Sequence, residues 1–176
     1  MSAVTDSLMQ ESAAEVVPQR MTAAEFGRFL PHKPPMLLLE TVEAWNAESI
    51  ECTASSQNDA QNPLRINGRV SSVHAMEYGA QAAAIHLSLM ANSAAEPVTE
   101  LEAYSPDRVV FLGIVRDFEL AEQYLDEQLG DEQPGSVMQI RSDLVSIAPR
   151  VFQYRVSAHI ADKLCAQGII SLIVGN

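Results

Sequence analysis

The sequence predicts an α+β fold in which one long helix packs against about six mainly antiparallel strands. Three observations lead to this prediction. One long helical segment lies near the middle of the chain, strand-like segments make up most of the remainder, and short polar turns separate those segments. Apolar and polar residues alternate along the clearest strand segment, which is typical of a sheet with one face in water.

The length and composition indicate one globular domain. The chain has 176 residues, of which 47% are hydrophobic and 19% are charged, a balance typical of folded proteins. Residues 1–20 mix small, polar and acidic side chains without a sustained period. We therefore expect a mobile N-terminal tail over residues 1–20 and a single domain over residues 21–176.

Charge and cysteine content exclude several classes of protein. The formal net charge of −12, from 23 acidic and 11 basic residues, argues against a nucleic-acid partner, because phosphate contacts need a basic face. Cys52 and Cys165 are too few for a disulfide scaffold, so a reducing, cytoplasmic location is expected. No apolar run approaches the roughly 20 residues of a membrane helix, so we expect no membrane span.

The first element is a short helix. Thr22 is a candidate N-cap, and Glu25 follows three residues later, which predicts a capping box and a helix over residues 23–30 that ends before Pro31. Three prolines then fall within residues 31–36, which we call the proline strap. Because proline cannot join a central sheet ladder, the strap should be a loop or an extended segment.

The remaining segments are mostly strand-like. A polar loop over residues 57–69 precedes the long helix. In the fifth strand segment the apolar positions alternate with Gln153, Arg155, Ser157 and His159, so one face of that strand should be buried. The predicted strands cover residues 36–45, 49–56, 108–120, 137–147, 151–160 and 164–174.

The long helix is predicted over residues 72–92. Small side chains cover most of its circumference, which indicates a buried helix that other backbone approaches closely. The simplest enclosure is a sheet that curls around it. The small residues are Ala75, Gly79, Ala80, Ala82, Ala83 and Ala84.

Polar side chains form one narrow stripe on this apolar helix. His74, Glu77 and Gln81 share a face at about 100° per residue. Burying a carboxylate is costly unless it is paired. The stripe therefore bonds a loop backbone, faces solvent or has a chemical role. The first-turn N–H groups near Val73 and His74 should be free to donate and could polarise a carbonyl.

The other candidate residues differ in strength. His32 lies in the stiff strap, which could aim its side chain at a site. His86 and His159 are expected to be structural, since His86 is on another helix face and His159 is on the solvent side of its strand. No HExxH or CxxC spacing and no glycine-rich phosphate loop occur, so we expect no metal and no nucleotide.

Three segments together resemble bacterial 3-hydroxyacyl-[acyl carrier protein] dehydratases, and most closely the dehydratase-like proteins of aryl-polyene-type lipid clusters. They are the Leu-Pro-His opening within residues 29–40, the Glu-Tyr-Gly-Ala-Gln start of the helix at residues 77–81, and Ala-Gln-Gly at residues 166–168. The resemblance covers roughly residues 22–174. It implies the hotdog fold, an antiparallel sheet wrapped around one long helix, and a dimer with sites shared between subunits.

The resemblance also implies a reaction. A 3-hydroxyacyl thioester on acyl carrier protein or coenzyme A would be dehydrated, in fatty-acid or polyene biosynthesis, without a cofactor or metal. A neutral histidine would remove a proton, Glu77 would protonate the leaving hydroxyl, and Gln81 could orient Glu77. N–H groups near Val73 would hold the enolate oxygen, and Tyr78 could line an acyl channel.

One departure from the family pattern keeps alternatives open. Typical dehydratases carry a histidine in a His-Phe-Pro-Gly loop, whereas this chain has Asn-Pro-Leu-Arg at residues 62–65. Either His74 or His32 takes that role, or the chain is a non-catalytic hotdog subunit that pairs with an active dehydratase. An acyl thioesterase with Glu77 activating water is a third possibility. Helix geometry slightly favours His74, because it lies one turn before Glu77.

An acidic carrier protein would need a basic face on this acidic chain. Arg65 and Arg69 precede the helix, and Arg28 and Lys33 flank the histidine of the strap. If both loops converge, these four residues would surround the mouth of the site. The alternative is scattered surface charge.

Overall fold

The computed structural model describes residues 20–93, 110–126 and 136–175. The predicted tail therefore lies outside the described residues, apart from Arg20. Short 3-10 turns cover Gly27–Phe29, Ser56–Asn58 and Ser72–His74. The helices and strands are β1 (Met21–Thr22), α1 (Ala23–Phe26), β2 (Thr41–Trp45), β3 (Ser49–Ala54), α2 (Ala75–Ser93), β4 (Val110–Leu120), β5 (Met138–Ala148), β6 (Val151–Ile160) and β7 (Lys163–Val174).

The strands of the described ranges form one antiparallel sheet of seven strands in the order β1-β2-β3-β5-β6-β7-β4. The prediction of about six antiparallel strands is confirmed, and the additional strand is the two-residue β1. The expected alternation in β6 is also confirmed, because its apolar positions are buried and the intervening ones are more exposed. No helix in these ranges is long and apolar enough to cross a membrane.

Helix α2 is buried against this sheet along most of its length, from Ala75 to Met90. The small side chains let the helix backbone approach the strands. A Cβ atom added at Gly79 would lie 2.3 Å from Cγ1 of Val156 on β6, and Ser142 Oγ on β5 donates a hydrogen bond to the Gly79 carbonyl at 3.2 Å. The predicted wrapped-helix fold is confirmed.

The start of the domain follows its local signals. The backbone N–H and the hydroxyl of Thr22 donate to Glu25 Oε2 at 2.8 and 2.9 Å, so the capping interaction is present. The α-helix is shorter than predicted, because a 3-10 turn replaces its second half after Phe26. The chain becomes extended at Leu30, where Pro31 excludes helical backbone.

The strand predicted over residues 36–45 is wrong at its N-terminal end, because β2 begins only at Thr41. The apolar run before it is buried at Leu38 and Leu39, but its backbone pairs with a helix side chain rather than with a strand. Met36 and Leu38 are both hydrogen-bonded to Gln81. This contact places the proline strap beside the start of α2.

Candidate active site

His32 of the proline strap faces Glu77 of α2. His32 Nε2 lies 3.6 Å from Glu77 Oε1, and the two side chains are 31% and 26% exposed. Both groups are therefore ordered by the fold and open to a small molecule. Both side chains belong to the same chain, whereas the resemblance implied sites shared between subunits, which stays a prediction.

Gln81 connects Glu77 to the backbone at and after the end of the proline strap. Its Oε1 accepts the Leu38 N–H at 3.0 Å, and its Nε2 donates to the Met36 carbonyl at 2.9 Å and to Glu77 Oε1 at 3.2 Å. The amide cannot flip without losing all three bonds, because a carbonyl accepts and an N–H donates. Gln81 thus bonds a loop backbone and orients Glu77, which were separate possibilities in the sequence.

The direction of these bonds determines where Glu77 can hold a proton. Since Oε1 accepts from Gln81 Nε2, the neutral carboxyl keeps Oε1 as its acceptor oxygen and carries the proton on Oε2. Glu77 Oε2 is therefore the oxygen from which a proton can be given away.

His74 lies at the end of the 3-10 turn that leads into α2. Within the described ranges, its ring makes no hydrogen bond or ion pair with Glu77. Burial lowers the pKa of His74, and the nearby Glu77 carboxylate offsets that effect only in part. The structure therefore places the His32 ring, rather than that of His74, within ion-pair distance of the Glu77 carboxyl.

The expectation that the first-turn N–H groups are free is wrong for His74. Its N–H donates to the Ser71 carbonyl at 3.0 Å, as the 3-10 turn requires. The Val73 N–H has a weaker contact, 3.5 Å from Ser71 Oγ. Of the two backbone N–H groups, that of Val73 would therefore lose the weaker hydrogen bond if it turned to a ligand oxygen.

Tyr78 is fully buried, so its ring belongs to the core and does not line an open surface. Its hydroxyl lies 2.9 Å from Ser56 Oγ and accepts from Asn62 Nδ2 at 3.0 Å. Burial raises the pKa of Tyr78, although these two hydrogen bonds oppose the effect. The phenol is thus a neutral structural group.

Asn62 occupies the loop position that carries a histidine in typical dehydratases. It is buried, and Nδ2 donates to the Ser56 carbonyl at 2.7 Å as well as to Tyr78. Its Oδ1 accepts the Leu64 N–H at 2.9 Å. This side chain is a loop anchor, and its amide nitrogen and oxygen are both occupied.

Arg65 holds the same loop from the other side. Asp126, which it contacts at 2.5 Å, has a side chain only 8% exposed, so the pair is largely internal. Burial opposes ionisation of Asp126, but the Val70 N–H and two arginines outweigh it and hold its pKa below the usual range. The Arg65 guanidinium also donates to the carbonyl oxygens of Gln57, Asp59 and Gly68.

Arg69 shares this cluster. Its Nε lies 3.3 Å from Asp126 Oδ1, and its guanidinium sits 4.2 Å above the Tyr124 ring. The two arginines predicted to contact a carrier therefore both pair with Asp126, although the Arg69 side chain is 39% exposed. Arg28 and Lys33 are exposed, as a carrier contact requires.

A family model identifies the family of this chain. A model of the ApeP-like family, described as ApeP dehydratase, matches residues 24–174. The chain belongs to the ApeP-like dehydratase family. Dehydration is therefore its reaction class. A search of curated proteins found no match.

The chain also resembles solved structures, and a match with a TM-score above 0.5 supports the fold of this ApeP-like dehydratase. The dehydratase heterocomplex ApeI:P from Xenorhabdus doucetiae is 19% identical and has a TM-score of 0.68, with 86% of this chain and 91% of that chain covered. A thioesterase from Haemophilus influenzae is 14% identical at a TM-score of 0.46 and covers 78% of each chain. AziG from S. sahachiroi is 11% identical at 0.49, with 77% and 90% covered.

His86 of this ApeP-like dehydratase is structural, as expected. Its Nε2 lies 2.7 Å from the Asn46 carbonyl, so Nε2 carries the hydrogen and Nδ1 accepts from the Tyr154 hydroxyl at 2.9 Å. Burial lowers the pKa of His86. The ring is thus a neutral link between α2, β6 and the β2–β3 turn.

Sequence reasoning missed Ser56 and Asp126. Ser56 Oγ donates to the Leu38 carbonyl at 2.7 Å and so contacts the segment after the strap. Nothing in a polar loop rich in turn formers distinguishes this serine from its neighbours. Asp126 lies 61 residues from Arg65, and a lone aspartate in a turn carries no signal of that pairing.

Proposed function

We propose that this chain dehydrates 3-hydroxyacyl thioesters to 2-enoyl thioesters and water, with His32 as the base and Glu77 as the acid. The observation that carries the proposal is the 3.6 Å approach of His32 Nε2 to Glu77 Oε1 in a partly open site. General acid–base catalysis needs two such groups within reach of one substrate. Membership of the ApeP-like dehydratase family supports the reaction class.

The elimination then proceeds with a balanced transfer of protons. Neutral His32 takes a proton from the carbon next to the thioester carbonyl, and the carbon–oxygen bond at the 3-position breaks. Glu77 gives the proton on Oε2 to the departing hydroxyl, which leaves as water. The products are the 2-enoyl thioester, water, an imidazolium and a carboxylate, and proton exchange restores the starting pair.

Two further groups have roles in this proposal. Gln81 orients Glu77 through its 3.2 Å bond to Oε1. The Val73 N–H, which has only a 3.5 Å partner, is assigned to the enolate oxygen that develops as the proton leaves. His74 is the competing base, and its partly buried ring beside the carboxylate makes it the necessary control.

The thioester is proposed to arrive on acyl carrier protein, with coenzyme A as the alternative carrier. Arg28 and Lys33 are exposed and flank His32 in the sequence, so they are the basic side chains assigned to contact an acidic carrier. Arg65 and Arg69 are omitted from this contact, because Asp126 already pairs with both. Reversing the charge of Arg28 and Lys33 should raise KM for the carrier-bound substrate but leave KM for a pantetheine thioester unchanged.

We also propose that the chain works in an oligomer with a second hotdog subunit. Strand β4 is the last strand of the sheet in the described residues and exposes large apolar side chains, which favours a partner. The ApeI:P structure is a heterocomplex, which supports a related but different subunit in polyene biosynthesis, with a homodimer as the alternative. The exposed residues of β4 are Phe111, Ile114, Val115 and Leu120.

The proposed location is the cytoplasm. Cys52 and Cys165 are both buried free thiols in the structure. Buried thiols without a disulfide suit a reducing compartment. Burial and the carboxylates of Glu43 and Glu51 raise the pKa of Cys52 well above its ordinary value, so this thiol is unreactive there.

The test compares His32→Ala with His74→Ala in the conversion of a 3-hydroxyacyl pantetheine thioester, alone and with a candidate hotdog partner. We expect His32→Ala to lose 10²–10⁴-fold in kcat, and His74→Ala to lose much less. Loss confined to His74→Ala would transfer the base to that residue. Activity only when the partner is present, and unaffected by either change, would identify a non-catalytic subunit. Release of free thiol would identify a thioesterase.

A further inference from the structure

The hydrogen bonds between the polar loop and α2 form a chain with a defined direction. The Leu38 carbonyl can only accept, so the Ser56 hydroxyl donates its single proton in that 2.7 Å hydrogen bond. The Tyr78 hydroxyl must then donate to Ser56 Oγ at 2.9 Å. Asn62 Nδ2 in turn donates to the Tyr78 oxygen at 3.0 Å.

A second set of hydrogen bonds starts from the N–H of the same residue, Leu38. Its N–H donates to Gln81 Oε1 at 3.0 Å, and Gln81 Nε2 donates to Glu77 Oε1 at 3.2 Å. Gln81 Nε2 also donates to the Met36 carbonyl. The two sets of bonds meet at Leu38, whose carbonyl and N–H belong to different peptide groups, so they are linked through the position of that backbone.

The two sets of hydrogen bonds meet at the backbone of Leu38, next to the candidate site. Its carbonyl is held by Ser56 and its N–H by Gln81, while the Met36 carbonyl is held by Gln81 as well. Met36 is the last residue of the proline strap and Leu38 lies two residues further on, so these contacts hold the C-terminal end of the segment that carries His32. Tyr78 is hydrogen-bonded to Ser56, the residue that holds the Leu38 carbonyl.

We propose that Tyr78 is a positioning residue for the His32–Glu77 pair and acts through Ser56 and the Leu38 backbone. This inference rests on the proposed function and refines it. The buried phenol does not touch substrate. It directs the Ser56 proton to Leu38, and Asn62, at the position of the usual loop histidine, orients the phenol. The loop that holds a catalyst in typical dehydratases is here part of the scaffold that positions one.

The decisive experiment compares Tyr78→Phe with Tyr154→Phe. Both rings are fully buried, and each change removes one buried hydroxyl, but the Tyr154 hydroxyl bonds His86 instead of the strap network. We expect Tyr78→Phe to lower kcat for a 3-hydroxyacyl pantetheine thioester about tenfold, with KM changed less than about twofold. Tyr154→Phe should leave kcat within about twofold while destabilising the fold similarly. Equal effects of the two changes on kcat would overturn the proposal.

Ser56→Ala provides a second route to the same link and covers the case in which Tyr78→Phe does not fold. It should reduce kcat about as much as Tyr78→Phe, and the double variant should be no worse than the poorer single variant, because both changes break one chain. Tyr154→Phe combined with Ser56→Ala should instead give multiplied effects. Multiplied effects for Tyr78→Phe with Ser56→Ala would refute a shared chain.

A readout without turnover separates this proposal from the proposed function. The backbone amide of Leu38 and the side-chain amide of Gln81 can be followed by NMR and hydrogen exchange in the intact chain. Both should shift and exchange faster in Tyr78→Phe, but not in Tyr154→Phe. If the wild-type chain never dehydrates a thioester, the proposed function fails, and unchanged amides in Tyr78→Phe would separately refute the positioning role.

Discussion

Replacing Glu77 with glutamine separates the chemical role of this side chain from its structural one. The carboxyl accepts a hydrogen bond from Gln81 Nε2 at 3.2 Å through Oε1, and its side chain is 26% exposed. A glutamine at this position can present its carbonyl oxygen to Gln81 in the same way. It cannot give up a proton from the position that corresponds to Oε2, because an amide is not an acid at neutral pH.

The expected magnitudes follow from these contacts. Since the shape and the accepted bond are retained and the site is partly solvated, the free energy of unfolding should change by less than about 1 kcal/mol. The loss of a general acid should lower kcat by 10²–10⁴-fold. Turnover is followed as hydration of a 2-enoyl pantetheine thioester, the reverse reaction, and stability is followed by urea unfolding.

Glu43→Gln is a suitable control. Glu43 is another partly exposed carboxylate, paired with Arg20 and Thr53, and its replacement should leave the rate unchanged. A Glu77→Gln variant with nearly the wild-type rate would show that Glu77 is not the acid. A variant that unfolds would show that the carboxylate serves the fold.

Three further predictions concern stability and are checked by urea unfolding. Gly79→Ala should lower the free energy of unfolding by about 1–3 kcal/mol through the clash with Val156, less about 1 kcal/mol of gained helix propensity. Adding Val156→Ala should relieve the clash, so additive effects of the two changes would contradict this explanation. Arg65→Ala should cost about 1–3 kcal/mol, because it removes the closest charged partner of the Asp126 side chain but leaves Arg69 and the Val70 N–H. A cost near zero would refute that pairing. Burial lowers the pKa of His86, so its contribution should be complete above the ordinary pKa of about 6.5 and should fall at lower pH, by at most about 1.4 kcal/mol per pH unit. His86→Gln should flatten that slope, and an unchanged slope would assign it to another group.

The sequence predicted best where one short-range pattern determined the structure. The range predicted for β6, residues 151–160, matches the structure, because strict alternation leaves one way to bury Phe152 and its apolar neighbours. The small residues of α2 predicted an enclosed helix for a similar reason. A Gly79 that tolerates no Cβ atom is the local consequence of that enclosure.

Prediction failed where contacts link distant parts of the chain. An apolar run at residues 36–39 is typical of a strand, but here the Gln81 side chain, 45 residues from Met36, binds the backbone. Helix spacing slightly favoured His74 over His32 as the base, because spacing contains no information about where the strap docks. The structure places His32 Nε2 3.6 Å from Glu77 Oε1, and which histidine acts stays a prediction. The sequence around Arg65 is equally compatible with a surface charge, because its partner Asp126 lies 61 residues away along the chain.

The proposed pairing of His32 and Glu77 as base and acid of one chain has a consequence for genetics. Where two essential groups of a site come from different subunits, two inactive variants mixed in one oligomer can rebuild one intact site between them. Here a His32→Ala chain and a Glu77→Gln chain each carry a broken pair, so co-expression should restore nothing. Alleles at these two positions should therefore fail to complement each other, and each active subunit in a mixed assembly should contribute its own turnover.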